Sequence, residues 1–337
     1  MITDALVQLI ESRDITFEDS REVMEEIMEG GTTPAQIGAF LTALRMKGET
    51  AEEVAGMASV MRSKALKLDI AGDVVDTCGT GGDGLETFNI STASAFVVAG
   101  SGIKVAKHGN RAMSSKTGSA DVLESLGVNI DMSPDNVAKC INRTGFGFMF
   151  AQGFHPAMRY VAGARRELAI PTVFNMLGPL TNPAGASRQV IGVSDSSKGE
   201  LMGQVLARLG SVKAAIVHGD DGLDEVTVSG ESSMWLVQSG FVEKRRISPS
   251  LFGMPVSRLE DLKVKDAEGS AKIIKDVLTG VKGPARDVVL LNSAVALYVA
   301  SDKDDIQEFL EVAVKSLDSG SAMTVLERCK QFSNSCL

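Results

Sequence analysis

Residues 76–124 read DTCGTGGDGLETFNISTASAFVVAGSGIKVAKHGNRAMSSKTGSADVLE and contain three short loops rich in glycine and hydroxyl side chains. The loops cover 79–83, 89–92 and 107–111, and each lies between an apolar strand candidate and a helix-like segment. Glycine permits a positive φ and lets backbone N–H groups approach a bulky anion. The first turn of a helix also offers free N–H groups to an anion. Three such loops in succession therefore predict a ligand with more than one phosphate.

The first loop matches neither common nucleotide-binding signature. A single glycine-rich turn in an α/β protein is more often a tight connection than a phosphate site. GTGGDG lacks the Gly-Lys-Ser/Thr ending of a P-loop. Its glycines at 79, 81 and 84 have the spacing of a dinucleotide fingerprint, but no helix is expected to start there, so neither signature is complete. The third loop favours anion binding because it adds Lys107 and Arg111, and hydroxyl side chains follow it at 114–119.

Length and composition predict a cytoplasmic globular protein with two domains, or with one large domain and a smaller attachment. The chain has 337 residues, 44% of them hydrophobic, with no apolar run near the ~18 residues that span a bilayer. Its amino terminus shows no signal-peptide pattern. The net charge of −9 argues against general nucleic-acid binding, although Lys104, Lys107, Arg111 and Lys116 concentrate positive charge around the third loop.

The cysteines have no metal-binding or redox spacing, so we expect reduced thiols. They are Cys78, Cys140, Cys329 and Cys336. Cys78 lies beside the glycine loop, and we interpret it as a small packing residue rather than a nucleophile.

The chain order predicts a small all-helical domain followed by a larger α/β domain with a mostly parallel sheet. Helix starts are expected at Thr16, Thr33 and Thr50, where hydroxyl caps precede apolar positions at helical spacing. Strand candidates lie at 74–75, 103–105, 146–150, 190–193, 214–217 and 234–242. Helices are expected at 269–278, 292–300 and 304–316, a loop at 172–183, and a frayed end at the last ten residues.

The motifs GTGGD, NIST, KHGN and GSADVLE together resemble the anthranilate phosphoribosyltransferase family, and the resemblance covers nearly the whole chain. It implies transfer of the phosphoribosyl group of phosphoribosyl pyrophosphate to anthranilate, in tryptophan biosynthesis. The residues that it assigns to phosphoribosyl pyrophosphate are Gly79, Gly82, Asp83, Thr87, Asn89, Ile90, Ser91, Thr92, Lys107, His108, Gly109, Asn110, Arg111, Ala112, Met113, Ser114, Ser115 and Ser119. The residues that it assigns to anthranilate are Gly79, Asn110, His155 and Arg165.

An acidic segment downstream is a candidate metal site. The sequence VHGDDGLDEVTV places Asp224 and Glu225 close to Asp220 and Asp221. Such carboxylates suit a hard divalent cation, although a solvated acidic turn explains the residues equally well. The resemblance favours Mg²⁺ held by Ser91, Asp224 and Glu225 near the pyrophosphate. It implies no catalytic base or covalent nucleophile, since the aromatic amine is itself a nucleophile.

The resemblance also implies a domain organisation. Residues 1–70 form the helical domain, to which 155–183 return, and 71–154 with 184–337 form the α/β domain. A homodimer through the helical domain is expected, and association with anthranilate synthase is compatible with the resemblance. The chain departs from the family at Ala169 and Pro171, where relatives often carry glycine and a basic residue.

Two other functions are compatible with parts of the sequence. A pyrimidine nucleoside phosphorylase of the same fold shares the glycine loop and the region 118–121, but it needs neither KHGN nor the Asp224–Glu225 pair. A non-catalytic relative that binds nucleic acid should have damaged substrate motifs and a basic surface. The intact motifs and the negative charge of this chain favour the transferase.

Overall fold

The computed structural model describes residues 1–112 and 117–336. Its amino-terminal part has four helices: α1 (Ile2–Ile10), α2 (Phe17–Met28), α3 (Pro34–Lys47) and α4 (Ala51–Lys64). The last three begin with a capping box, in which the hydroxyl of Thr16, Thr33 or Thr50 accepts a hydrogen bond from the backbone three residues on. Each cap contributes about 1 kcal/mol. The three predicted helix starts are therefore confirmed.

A seven-stranded sheet forms the centre of the larger part. Its strands are β1 (Val75–Gly79), β2 (Val105–Gly109), β3 (Phe146–Phe150), β4 (Arg188–Gly192), β5 (Lys213–Gly219), β6 (Ser232–Gln238) and β7 (Phe241–Ile247). Their order is β3-β2-β1-β4-β5-β6-β7, and only the β5–β6 and β6–β7 pairs are antiparallel. The predicted mostly parallel sheet is confirmed. The strand order reverses between β1 and β4, where α/β sheets open a ligand crevice at the carboxyl ends of the strands.

The other helices cover both faces of this sheet. They are α5 (Ile90–Gly100), α6 (Ser119–Ser125), α7 (Pro134–Thr144), α8 (Ala151–Phe154), α9 (Arg159–Leu168), α10 (Phe174–Leu180), α11 (Lys198–Arg208), α12 (Ala267–Leu278), α13 (Pro284–Val299), α14 (Glu308–Asp318) and α15 (Ser321–Asn334). Short 3₁₀ turns lie at Pro156–Met158, Pro249–Phe252 and Leu259–Leu262. None of the described helices is both long and apolar enough to cross a lipid bilayer.

Alternating strand residues divide the interior into two cores. On β5, Ala215 and Val217 join the core beneath α5 and α13, whereas Ala214 and Ile216 join the core beneath α11. This alternation follows from the pleat, which sends successive side chains to opposite faces. The second core also contains the buried side chains of α1–α4, α9 and α10. One sheet face is therefore covered by helices from three separate chain segments.

The first two strands are longer than predicted, which changes the setting of the third glycine-rich loop. β2 runs to Gly109, so Lys107, His108 and Gly109 lie in a strand and not in a loop. Parallel pairing with β3 places Lys107 opposite Phe148. The sequence pattern missed this extension because Lys107 and His108 are polar residues in a buried strand.

The segment 172–183 was predicted as a loop, but it contains α10, and that prediction is wrong. Phe174, Leu177 and Leu180 are buried at helical spacing despite Pro179 inside the helix. Arg62 Nε donates to the carbonyl of Leu180 at 2.7 Å, which ties the end of α10 to α4. The helix before it, α9, packs against α2 and α3.

Ala169 ends α9 in the left-handed region, with a φ of 51°. A left-handed residue after a helix is most often glycine, because a Cβ is strained there. The departure that the resemblance implies at residue 169 thus falls where the backbone favours glycine.

The carboxyl-terminal segment was predicted to fray, but it forms α15, and that prediction is also wrong. Val325, Leu326 and Cys329 are buried in one stripe, which packs against α5 and α7. Cys329 Sγ lies 3.8 Å from Cys140 Sγ of α7, and both are free thiols. The short apolar stripe is diluted by polar residues, so composition alone did not reveal it.

Replacing Leu326 by Ala is expected to lower the free energy of unfolding by about 2–5 kcal/mol, because Leu326 is fully buried between α15 and α5. Glu327→Ala, at the neighbouring exposed position, is the matched control and should change it by under ~0.5 kcal/mol. Urea unfolding followed by circular dichroism measures both. Equal stability of the two variants would show that α15 is not docked.

Candidate active site

A cavity of about 280 Å³ lies at the carboxyl ends of β1 and β2. The loop after β1, the first turn of α5, the end of β2 and the start of α6 form most of its wall. Asp224 and Glu225 reach it from the connection between β5 and β6. The three glycine-rich segments thus converge on one space together with the acidic segment.

Most of the predicted site residues line this cavity. They are Gly79, Gly82, Asp83, Thr87, Asn89, Ile90, Ser91, Lys107, His108, Gly109, Asn110, Arg111, Ala112, Ser119, Asp224 and Glu225. The wall formed by the described residues does not include Thr92, His155 or Arg165. The predicted residues Met113, Ser114 and Ser115, with Lys116, lie outside the described part of the chain.

The glycine-rich loop 79–83 contacts Asp224 through a backbone N–H and leaves room for its carboxylate. Gly81, whose φ of 64° favours glycine, donates its N–H to Asp224 Oδ2 at 3.1 Å. A Cβ added to Gly79 would lie 2.7 Å from the same oxygen. Only glycine at residue 79 therefore leaves the Asp224 carboxylate in this position.

The first turn of α5 receives the second acidic side chain. The Ser91 N–H donates to Glu225 Oε1 at 3.0 Å. Asn89 stands at the N-cap, but its Oδ1 accepts from the Ser270 hydroxyl at 3.1 Å and does not cap the helix. A carboxylate at a helix amino terminus gains from the helix dipole. This places Ser91, Asp224 and Glu225 at the edge of the same cavity.

The carboxylates raise one another's pKa. Burial, and then the neighbouring Asp83, raise the pKa of Asp224 to about 7. Burial, and then Asp224, raise the pKa of Glu225 to about 8, while Lys107 opposes the rise. Carboxylates gathered without enough positive charge are the setting that a divalent cation stabilises.

The donor set fits Mg²⁺ as a partial coordination shell. Among the described residues, no three His, Cys, Asp or Glu side chains are grouped as a complete metal site. Mg²⁺ commonly takes one or two carboxylates and completes its shell with water and substrate phosphates. Two carboxylates and the Ser91 hydroxyl therefore suit Mg²⁺ better than a cation that needs a full protein cage.

Lys107 places a positive charge near this acidic group. Its side chain is fully buried, and its ammonium donates to the carbonyl of Thr77 and to Ser91 Oγ, the latter at 3.2 Å. Burial lowers the pKa of Lys107, and the charge of Asp76 acts in the opposite direction. Lys107 therefore links the core of the sheet to the Ser91 hydroxyl at the cavity wall.

His108 lines the cavity, and its ring meets that of His155, which is not part of the described wall. The rings of His108 and His155 have centroids 5.0 Å apart. Burial lowers the pKa of His108 to about 3 and that of His155 to about 4, so both rings are neutral at pH 7. Each Nε2 is buried and has no hydrogen-bond partner among the described residues. His155 is thus one ring removed from the cavity.

Of the other predicted basic residues, Arg111 lines the cavity and Lys104 does not. Arg111 forms ion pairs with Asp121 and Glu124 of α6, which raise the pKa of its guanidinium. Lys104 precedes β2 and donates to the Ala71 carbonyl at 2.6 Å, at the end of the strand opposite the cavity. The expected cluster of positive charge is therefore smaller than predicted, since Lys104 belongs to the structure of the sheet.

Arg165 of α9 lies against the ring of Phe174, with its guanidinium carbon 5.1 Å from the centroid. Burial lowers its pKa, and it forms no ion pair with any described residue. A half-buried guanidinium without an acidic partner favours an anionic ligand.

Asp220 and Asp221 are not among the described residues that line the cavity. Asp220 accepts from Arg246 at 3.0 Å, and Asp221 accepts from the Thr227 hydroxyl at 2.6 Å. Both carboxylates have protein partners, Arg246 of β7 for Asp220 and Thr227 for Asp221, so their expected contribution to a cation site stays a prediction.

Besides further members of the glycine-rich loops, sequence reasoning missed five described cavity residues: Cys78, Glu86, Phe88, Asn175 and Val264. Cys78 lines the wall beneath the glycine loop, Val264 approaches it from the far end, and Asn175 reaches it from α10. Burial raises the pKa of the Cys78 thiol well above its usual value, which supports its interpretation as a packing residue. Asn175 belongs to the segment 155–183, and it was overlooked because residues 172–183 were predicted to be a loop and not the helix α10.

Comparisons with known proteins agree along the whole chain. Residues 3–65 match the helical bundle domain of the glycosyl transferase family, and 71–323 match its a/b domain. The anthranilate phosphoribosyltransferase of Dehalococcoides mccartyi is 51% identical over 337 residues, covering 99% of both chains. The chain belongs to the anthranilate phosphoribosyltransferase family.

Two solved structures from the family share the fold. The crystal structure of the Thermus thermophilus enzyme has a TM-score of 0.92 and 41% identity, covering 98% of this chain and 99% of its own. The Saccharomyces cerevisiae enzyme in complex with phosphoribosyl pyrophosphate and Mg has a TM-score of 0.90 and 29% identity, covering 99% and 98%. These matches support the resemblance carried by the glycine-rich motifs.

Proposed function

We propose that the cavity binds phosphoribosyl pyrophosphate with Mg²⁺ and receives anthranilate from the side of α9 and α10. One observation carries the proposal: the three glycine-rich segments and the Asp224–Glu225 pair, distant in sequence, line one cavity at the strand-order reversal. The reaction is that of the family. It transfers the phosphoribosyl group to the amine of anthranilate and releases pyrophosphate, a step of tryptophan biosynthesis.

The pyrophosphate side is supported by backbone donors and by the acidic pair. Residues 79–83 offer N–H groups, and Lys107 contributes positive charge beside Ser91. Ser91, Asp224 and Glu225 would hold Mg²⁺, which supplies charge neutralisation for the departing pyrophosphate. The protein residues fix the phosphate groups and leave the reacting carbon open to the amine.

The aromatic acid side is supported by Arg165 and the histidine pair. Arg165 offers a guanidinium without an acidic partner among the described residues, which suits the carboxylate of anthranilate. His108 and His155 remain neutral and present apolar ring faces. Positioning of the neutral amine then needs no strong base.

The test follows anthranilate fluorescence in the presence of phosphoribosyl pyrophosphate, with Mg²⁺ and with a chelator. Loss of fluorescence and equimolar release of pyrophosphate, only with Mg²⁺, is expected. Cleavage of thymidine or uridine by inorganic phosphate, with no anthranilate consumption, would instead identify a nucleoside phosphorylase.

Arg165→Lys is expected to raise the KM for anthranilate about 10- to 100-fold, because lysine cannot form the bidentate contact of a guanidinium with a carboxylate. The KM for phosphoribosyl pyrophosphate should stay unchanged. Arg166→Lys, next in the chain and exposed, is the matched control and should leave both values unchanged. A rise only for phosphoribosyl pyrophosphate would place Arg165 on the other substrate.

The organisation around the site is also proposed. Residues 1–70 with 155–183 form one domain, and 71–154 with 184–337 the other, supported by the packing of α9 on α2 and α3. A homodimer through the helical domain is supported by exposed apolar side chains at Val7, Ile10 and Met46.

The free thiols fit a cytoplasmic setting. Association with anthranilate synthase stays a prediction, to be tested by co-purification.

A further inference from the structure

Asn175 is the one residue of α10 that lines the cavity among the described residues. It is also the only described residue of 155–183 in the wall, which includes neither His155 nor Arg165. The segment that carries Arg165 therefore contacts the ligand space through this side chain.

The hydrogen bonds of Asn175 fix which end of its amide is free. The Thr172 N–H donates to Asn175 Oδ1 at 3.1 Å, and the Asn175 N–H donates to the Thr172 carbonyl at 2.9 Å. Because a backbone N–H needs an acceptor, the oxygen must face Thr172. Nδ2 has no hydrogen-bond partner among the described residues, so its two hydrogens are available to a ligand.

The neighbours of Asn175 indicate which part of the ligand it meets. The residue before it, Phe174, supports the guanidinium of Arg165. The carboxylates of Asp83, Asp224 and Glu225 belong to other segments, which follow β1 and β5. An amide that can only donate, on the segment of Arg165, suits an anionic oxygen of the aromatic acid better than the metal-bound pyrophosphate.

We propose that Asn175 is a substrate-binding residue that donates to the carboxylate of anthranilate beside Arg165. The inference depends on the proposed function, because it assigns a second contact to the acceptor substrate. It gives Asn175 a part in selecting aromatic amines that carry a carboxylate, since an uncharged analogue leaves this donor unmatched.

Asn175→Asp tests the proposal with almost no change of shape. Aspartate keeps an oxygen for the Thr172 N–H, so the turn before α10 is retained, but it offers no donor and brings a negative charge. The KM for anthranilate should rise about 10- to 100-fold, the effect of losing a hydrogen bond to a charged group. The KM for phosphoribosyl pyrophosphate should stay within about 2-fold, and thermal unfolding should match the wild type.

Asn175→Ser is the second variant, because serine keeps an acceptor for the turn without the amide or the charge. It should raise the same KM by a smaller factor. An unchanged KM for anthranilate in both variants, or an equal rise for phosphoribosyl pyrophosphate, would overturn the inference. A wild type that forms no phosphoribosyl anthranilate would overturn the proposed function itself, so the two failures are distinguishable.

Discussion

Replacing Asp224 by Asn together with Glu225 by Gln is expected to lower kcat/KM by about 1000-fold or more at saturating Mg²⁺. Glu225 accepts from the Ser91 N–H at 3.0 Å, and Asp224 accepts from the Gly81 N–H at 3.1 Å. Amides of the same shape retain the packing but lose the charge that holds a divalent cation. Initial rates over a range of Mg²⁺ concentrations measure the effect.

Asp220→Asn provides the matched control. It lies in the same connection and pairs with Arg246 at the surface, so its loss should change activity by less than about 2-fold. An Asp224/Glu225 double variant with wild-type activity and the same Mg²⁺ dependence would remove these residues from the metal site.

The same double variant should be at least as stable as the wild type without Mg²⁺. The pKa values of Asp224 and Glu225 are about 7 and about 8, well above the ordinary values of these side chains. At a pH between the ordinary and the raised values, the folded state therefore binds more protons than the unfolded state. The free energy of unfolding of the metal-free wild type therefore falls as the pH rises from about 5 to about 8. Thermal unfolding across this range should show the fall in the wild type and lose most of it in the variant. The same dependence of stability on pH in the wild type and the variant would show that Asp224 and Glu225 do not cause it.

Replacing Lys107 by Met is expected to lower the free energy of unfolding by about 3–5 kcal/mol and to abolish most activity. Lys107 and Asp76 are both fully buried, and their charges act on each other without a direct ion pair among the described residues. Burial raises the pKa of Asp76 and lowers that of Lys107, while the attraction between the two charges acts against both shifts. Removing only one partner, however, leaves the other charge buried and uncompensated.

A double-mutant cycle separates this charge effect from lost packing. Asp76→Asn keeps the hydrogen-bond geometry around the His108 N–H, which donates to Asp76 Oδ1 at 3.1 Å. The combination Asp76→Asn with Lys107→Met should recover part of the lost stability without restoring activity. Strict additivity of the two single effects would show that the side chains do not interact.

Much of the architecture was predictable because local signals agreed with the fold. Thr16, Thr33 and Thr50 indicated helix starts, and the glycine-rich segments marked the ends of β1 and β2. The convergence of residues 79–83 with Asp224 and Glu225 was predictable through the family resemblance, not from spacing. Spacing alone could not distinguish a metal site from a solvated acidic turn.

The failures share a physical cause, which is that tertiary contacts override local composition. α15 is stabilised by the burial of Leu326. α10 forms despite Pro179 inside it because its apolar side chains are buried. Lys104 and Asp220 looked like ligand-binding charges but meet protein partners. Asn175 carried no motif, and only the three-dimensional path of α10 brings it to the cavity.

The core shared by α1–α4, α9 and α10 has a consequence for synthesis on the ribosome. The first four helices are complete at Lys64, but the residues that finish their core include Leu177 and Leu180. At about 5–20 residues per second, these helices wait roughly 6–23 s for α10 to be translated. During that interval their apolar faces are exposed, which makes the nascent amino-terminal segment a client for chaperones until α10 has been made.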